Sequence, residues 1–309
     1  MFFLRELKER RPTLIVVTGP TAVGKTELCM DIAKRLGIPI INADSRQIYR
    51  GLRIGTAQPT EEQMKEVEHY FVGTLQLDSY YNASMYEQDV MKLLNDMFSQ
   101  GCKYALLSGG SMMYIDAVCN GIDDIPTITD ETRLLIKNRL EHDGLEKLCE
   151  ELKRLDPKHY EIVDKRNARR VVHALEVCHQ TGKTYTSFLT RRKRQRPFHI
   201  VKVALNRNRE ELYGRINQRV DSMVEHGLVE EAKGLFQYRF MNSLNTVGYK
   251  EMFDYIQGCY SLEEAIERIK GNTRRYARKQ ITWFKKDDDV MWFHPNDKHL
   301  IFDHLRVYD

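Results

Sequence analysis

The sequence predicts an α/β fold with a parallel-sheet core, a helical insertion and a helical C-terminal part. Three observations predict it. The apolar run Thr13-Leu14-Ile15-Val16-Val17-Thr18 leads into Gly19-Pro20-Thr21-Ala22-Val23-Gly24-Lys25-Thr26, and a helical pattern follows over 27–36. Strand, G-x-x-x-x-G-K-T loop and helix in that order form the phosphate-loop context. Further buried-strand patterns at 38–43 and 103–107 each end in a polar or Gly-rich turn, and strands alternating with helices read as a parallel sheet. From about 118 to 197 the strand-like runs give way to helical periods and basic residues.

The chain of 309 residues is 42% hydrophobic and 30% charged, ordinary for a globular protein with one large or two modest domains. No apolar run reaches the length of a membrane span. The start of the chain mixes acidic and basic residues after a very short apolar stretch, unlike a signal peptide, so the expectation is a cytoplasmic protein. Cys29, Cys102, Cys119, Cys149, Cys178 and Cys259 form no C-x-x-C pair, which points to reduced, buried thiols rather than a zinc site or disulfides. Net charge is only +4. Its distribution says more: basic residues crowd into 165–170, 183–196 and 268–286, as expected beside a nucleic-acid partner.

Taken in order, Gly37 is a plausible helix C-cap, and the second strand delivers Asp44, Ser45, Arg46 and Gln47 to its C-terminal end. Ligands sit at that end of a doubly wound sheet. A Gly/Pro-punctuated loop over 51–59 precedes a helix over 60–69. Tyr86, Val90, Leu93, Leu94 and Met97 mark a helix over 84–100, and the third strand runs into Ser108-Gly109-Gly110-Ser111. A linker over 121–129 opens the insertion. Helices are expected over 130–155, up to the break at Asp156-Pro157, and over 167–180. A strand at 198–205 returns to the core. Helices over 209–224, 228–236, 249–257 and 262–286 and a short strand at 290–293 complete it. The domains expected are thus a core of 1–117 with 198–309, and an insertion of 118–197.

The pieces allow specific chemistry. Loop N–H groups and the helix dipole hold phosphate, Lys25 adds charge, and the Thr26 hydroxyl can ligate Mg²⁺. Nucleotide hydrolases place an acid at the end of a second apolar strand, yet the third strand here ends in Leu106-Leu107-Ser108-Gly109. The acid that does end an early strand is Asp44, which is either a metal ligand, a general base or a helix cap. Arg215 and Arg219 share a helix face and either clamp a diphosphate or pair with Asp221 and Glu225. Trp283, among basic residues, either stacks on an exposed base or packs in the core.

Several of these motifs together resemble the bacterial tRNA dimethylallyltransferases: the phosphate loop, Asn42-Ala43-Asp44-Ser45-Arg46-Gln47-Ile48-Tyr49, the 51–59 loop, Gly109-Gly110-Ser111-Met112-Met113-Tyr114, and 169–177 with Thr181-Gly182-Lys183. Val247-Gly248-Tyr249-Lys250 and Arg278-Lys279-Gln280-Ile281-Thr282-Trp283-Phe284-Lys285 extend it. The resemblance implies a P-loop NTPase-like core with a helical insertion that grips the tRNA anticodon stem-loop. It implies transfer of a dimethylallyl group from dimethylallyl diphosphate to N6 of the adenosine 3′ of the anticodon. The phosphate loop would hold the diphosphate with Mg²⁺, Asp44 would accept the N6 proton, and Ser111, where the family usually has Thr, would help to position substrate and metal. Contacts to tRNA are implied for Asp44, Ser45, Arg46, Gln47, Ser111 and Arg133. The same holds for Arg169, Arg170, Val171, Val172 and His173, for Asn245 and Thr246, and for 247–250 and 278–285. His173 and Asn245 replace arginines common in the family, and the basic run at 191–196 is a candidate to compensate.

Three other readings differ in their demands. A prenyltransferase of free adenine nucleotides needs neither the insertion nor the basic tail. A small-molecule kinase, or an RNA-binding protein switched by nucleotide, is disfavoured by the missing acid on the third strand. No heptad pattern or obvious apolar patch argues for a dimer, so a monomer is expected.

Overall fold

The computed structural model describes residues 11–190 and 193–306. Among these residues the sheet has six strands: β1 (Thr13–Thr18), β2 (Ile40–Asn42), β3 (His69–Tyr70), β4 (Tyr104–Ser108), β5 (His199–Leu205) and β6 (Val290–Phe293). Their order is β3-β2-β4-β1-β5-β6, and every pairing is parallel. The chain therefore leaves β1, crosses over β4 and lays down β2. That reversal opens the crevice at the strands' C-terminal ends.

Leu14, Ile15, Val16 and Val17 are fully buried because helices cover both faces of the sheet. Successive residues point to opposite faces, so each face has its own core. Ile15, Val17, Leu106 and Val203 pack on α1 (Lys25–Leu36) and α8 (Arg209–Glu225). Leu14, Val16, Ala105 and Leu107 pack on α3 (Ala83–Ser99) and α4 (Met112–Asn120). A third cluster joins Ile48, Tyr49 and Leu52 to α9 (Leu228–Leu235), α10 (Tyr249–Ile256) and α11 (Leu262–Phe284).

The chain divides into two compact units, 1–120 with 195–309 and 121–194. The boundaries differ from the expected 118 and 197 by three residues at each end, because α4 runs on to Asn120 and Arg196 belongs to the sheet unit. Its guanidinium donates to the carbonyls of Val118 and Ala117 at 2.8 and 2.7 Å, and pairs with buried Glu87 at 2.6 Å. The smaller unit has its own core, in which Ile136, Leu148 and Leu152 of α5 (Asp130–Leu155) meet Val171, Ala174 and Leu175 of α7 (Ala168–Thr181). The break between α5 and α6 (Pro157–Ile162) is fixed by buried Asp156, whose carboxylate accepts from the His159 N–H at 3.0 Å and the Thr186 N–H at 2.7 Å.

Two expectations need correction. The helix expected over 60–69 stops at Glu66 as α2 (Glu61–Glu66), and His69 and Tyr70 form an edge strand too short to leave a sequence pattern. The cysteines are not uniformly buried: Cys259 is exposed and Cys102 half-buried.

Candidate active site

The phosphate loop follows β1 and closes tightly on β5. Gly19 has φ +136°, and a Cβ there would stand 2.5 Å from the Leu205 carbonyl oxygen, so only glycine fits. Helix α1 starts after Gly24 with no side-chain cap, leaving its first N–H groups facing the loop. Three side chains hold the loop from outside. Arg207 Nε donates to the Val23 carbonyl and Arg215 Nε to the Ala22 carbonyl, both at 2.9 Å. Gln280 Oε1 accepts from the Thr21 N–H at 2.9 Å. Glu211 in turn joins Arg207 to His294. Lys25 Nζ folds back on the Gly19 and Pro20 carbonyls at 3.0 and 2.8 Å. Burial, helped by Arg219, lowers that amine to about 8, while Asp44 and Cys29 oppose the shift. Burial also pushes the Cys29 thiol up to about 12.

Asp44 comes from the end of β2 and lies within electrostatic reach of both Lys25 and Arg219. Withdrawal from water lowers the Arg219 guanidinium, and Asp44 opposes this. The Asp44 Oδ1 accepts from the N–H groups of Arg46 and Gln47 at 2.8 and 3.2 Å, which fixes the carboxyl's orientation. The Gly-rich turn after β4 packs beneath it. A Cβ on Gly109 would lie 2.1 Å from the Ala43 carbonyl oxygen, so this close approach also requires glycine. Ser111 is buried, accepts from the Ser45 N–H at 2.8 Å and donates to the Ser45 hydroxyl at 3.0 Å. The structure thus gathers Gly19–Thr26, Asp44, Ser111, Arg215 and Arg219 around the ends of β1, β2 and β4. The Arg215 contact is to the loop's own backbone, which is neither of the two arrangements expected for it, and Asp221 pairs with Lys270 at 2.8 Å.

The residues aligned with tRNA-contacting segments separate by exposure. In the sheet unit Lys250, Arg278, Lys279, Thr282 and Lys285 are exposed. Arg46 reaches out to the carbonyls of Asn242 at 2.6 Å, Ser243 at 3.3 Å and Asn245 at 3.5 Å, tying that loop to the Asp44 turn. Gln47 holds the 51–59 loop through the carbonyls of Thr56 and Ala57 at 3.0 and 2.9 Å. In the smaller unit Arg169, Arg170 and His173 are exposed, and Arg133 and Val172 are half-buried. Several neighbours do not match a direct RNA contact. Val171, Gly248, Tyr249, Gln280 and Phe284 are buried, and Thr246, Val247 and Ile281 are half-buried. Trp283 packs on the sheet core and donates its Nε1–H to Asp116 at 2.9 Å, so packing accounts for it. Of the compensating basic run, Arg196 is consumed by its buried pair with Glu87, and Arg191 and Arg192 lie outside the described residues.

Sequence reasoning missed Arg207, Glu211 and His294, which join at long range to brace the loop. It also missed Tyr276, whose hydroxyl approaches the Gly110 carbonyl at 3.4 Å. Lone residues of these types carry no spacing signal.

The IPP transferase family model matches residues 47–287. The chain is 55% identical to tRNA dimethylallyltransferase 1 of Bacteroides thetaiotaomicron over 96% of both chains. It is 57% identical to tRNA dimethylallyltransferase 1 of Bacteroides fragilis over 96% of this chain and 98% of that one. Among solved structures it resembles a tRNA isopentenylpyrophosphate transferase from Bacillus halodurans, with TM-score 0.69, 35% identity and 96% of each chain covered. It also resembles a eukaryotic dimethylallyltransferase acting on tRNA, with TM-score 0.78, 25% identity, and 92% of this chain and 74% of that chain covered. With a phosphate loop facing a strand-end carboxylate, a family match over most of its length and relatives more than half identical end to end, the chain belongs to the IPP transferase family.

Proposed function

We propose that this chain transfers a dimethylallyl group from dimethylallyl diphosphate to N6 of the tRNA adenosine 3′ of the anticodon, releasing diphosphate. The observation that carries the proposal is the convergence of Lys25 after β1, the Asp44 carboxylate after β2 and Arg219 of α8 at the strands' C-terminal ends, where β4 lies between β1 and β2. A cationic cradle for a leaving diphosphate and an acceptor for an amine proton are what this substitution needs. As the C–N bond forms, the N6 proton passes to Asp44, for which Oδ2 is available while Oδ1 is held by the backbone. The allylic C–O bond breaks with its electron pair leaving on the diphosphate, which Lys25, Arg219 and the N–H groups at the start of α1 stabilise. Ser111 fixes the Asp44 turn through Ser45.

The residues present suit Mg²⁺. Thr26 is exposed in the first turn of α1, and the Thr18 hydroxyl, buried one residue before the loop, has no hydrogen-bond partner among the described residues. Thr26 would hold the ion together with diphosphate oxygens, and its charge would ease departure of the leaving group. The tRNA reading is supported by the exposed Arg169 and Arg170 in the first turn of α7. Cations at a helix N-terminus oppose the dipole, an arrangement that an anionic backbone relieves.

The test incubates the protein with labelled dimethylallyl diphosphate, Mg²⁺ and unmodified tRNA. Label is expected in the RNA, and Asp44→Ala is expected to lower transfer by roughly 10²–10⁴-fold while tRNA affinity holds. ATP hydrolysis with no label in RNA would overturn the proposal.

A further inference from the structure

One buried side chain joins the two halves of the site. Gln280 of α11 is 1% exposed. Its Oε1 accepts from the Thr21 N–H at 2.9 Å, and its Nε2 donates to the Gly110 carbonyl at 2.8 Å. A backbone N–H only donates and a backbone carbonyl only accepts. The bridging side chain must therefore offer an acceptor at one end and a donor at the other, which a primary amide does without ionising. Thr21 belongs to the phosphate loop. Gly110 precedes Ser111, whose hydroxyl holds the Ser45 N–H beside Asp44. The hydrogen-bonded path therefore runs from the leaving-group cradle to the proton acceptor's own turn. Room for the amide is kept by the sequence: a Cβ on Gly110 would lie 2.5 Å from Gln280 Nε2.

We propose that Gln280 is a positioning residue whose amide sets the diphosphate loop and the Asp44–Ser111 turn at a fixed separation. Leaving group and proton acceptor then address one reacting centre, where small misplacements are costly. The proposal rests on the prenyl-transfer reading, and it replaces the RNA contact that the family resemblance implies at this position. It also withdraws the Thr21 N–H from the amides offered to phosphate, leaving that task to the N–H groups that follow it in the loop.

Two variants of the full chain test it, Gln280→Glu and Gly110→Ala. The readouts are kcat at saturating dimethylallyl diphosphate across pH, inorganic pyrophosphate affinity and affinity for an unmodified anticodon stem-loop. A protonated glutamate reproduces the donor–acceptor pattern, whereas an ionised one turns an oxygen with no proton towards the Gly110 carbonyl. Gln280→Glu is therefore expected to lose kcat as pH rises through the ionisation of the introduced carboxyl, at a lower pH than any loss in the wild type. Gly110→Ala meets only the tip of a flexible side chain, so it keeps the fold while displacing the amide. Its kcat and pyrophosphate affinity are each expected to fall by about tenfold, the scale of one broken buried hydrogen bond, with stem-loop affinity within about twofold. Unchanged kcat and pyrophosphate affinity in both variants, or a loss confined to stem-loop affinity, would overturn the proposal. A wild-type chain that transfers no prenyl group overturns the functional reading instead. The bridge is then judged on pyrophosphate affinity alone, where equal binding by wild type and Gly110→Ala sinks it.

Discussion

Lys25 carries a charge that the fold makes conditional. Its amine falls from 10.5 in an unfolded chain to about 8, chiefly through burial. Between those values the unfolded chain binds more protons than the folded one, so this group's contribution to stability rises with pH across that window. Below about pH 8 both states are protonated, and the cost of burying the ammonium is felt in full. A diphosphate beside the amine reverses the balance by favouring the charged form. Pyrophosphate binding should therefore take up a proton above about pH 8, and affinity should decline as the pH of the free protein rises through that value. Calorimetry in two buffers of different ionisation enthalpy reads the uptake directly. Lys25→Ala, which leaves the titration of pyrophosphate itself unchanged, supplies the reference. Equal proton uptake by the variant and the wild type would mean that Lys25 is already charged in the free protein.

At the scale of elements, the 51–59 loop is held less by its own sequence than by one carboxylate from α9. Glu231 accepts from the N–H groups of Arg53 at 3.0 Å, Ile54 at 2.8 Å and Gly55 at 2.8 Å, and from the Tyr249 hydroxyl at 2.6 Å. Gly55 is required there, because a Cβ would lie 2.6 Å from the Tyr249 ring. Glu231→Ala leaves several donors unpaired and should destabilise the protein by about 2–3 kcal/mol, read from urea unfolding. Amide exchange should rise over 51–59, and the Gln47 contacts to Thr56 and Ala57 should loosen with it; unaltered exchange there would show that the loop needs no such anchor. The sequence already marks this segment as a loop by its Gly and Pro, and marks β1 and β4 as strands by apolar runs and β5 by an apolar run interrupted only at Lys202. It does not show that Glu231 serves the loop, because the partners are more than 170 residues apart and a helix-surface glutamate looks like any other. Gln280 is hidden for the same reason. Its neighbours in sequence are basic and aromatic, which suggests an RNA surface, while it shares the buried face of α11 with Ala277 and Phe284.

At the scale of the molecule, the division into two units is legible because composition follows architecture: β-branched runs build the sheet, and helical periods build 121–194. The boundary positions are less legible, since Arg196 reads as part of a basic run until its pairing with Glu87 is seen. The smaller unit's core is drawn from its own helices, and its two ends lie together: a Cβ on Gly121 would stand 2.6 Å from the Arg194 side chain. A short Gly/Ser bridge can therefore replace residues 121–194 without stretching the sheet unit. The shortened chain should fold and bind pyrophosphate within about twofold of the full chain, because the residues that brace the phosphate loop all lie in the sheet unit. Its affinity for tRNA should fall, because Arg169, Arg170 and Arg133 leave with the excised unit. Salt dependence separates lost phosphate contacts from general damage. Each one lost should flatten the slope of log K against log salt by about 0.7–0.9, whereas a misfolded sheet unit would also lose pyrophosphate binding. A shortened chain with the full slope and full tRNA affinity would place the RNA grip entirely on the sheet unit, around Lys250 and the exposed basic residues of α11.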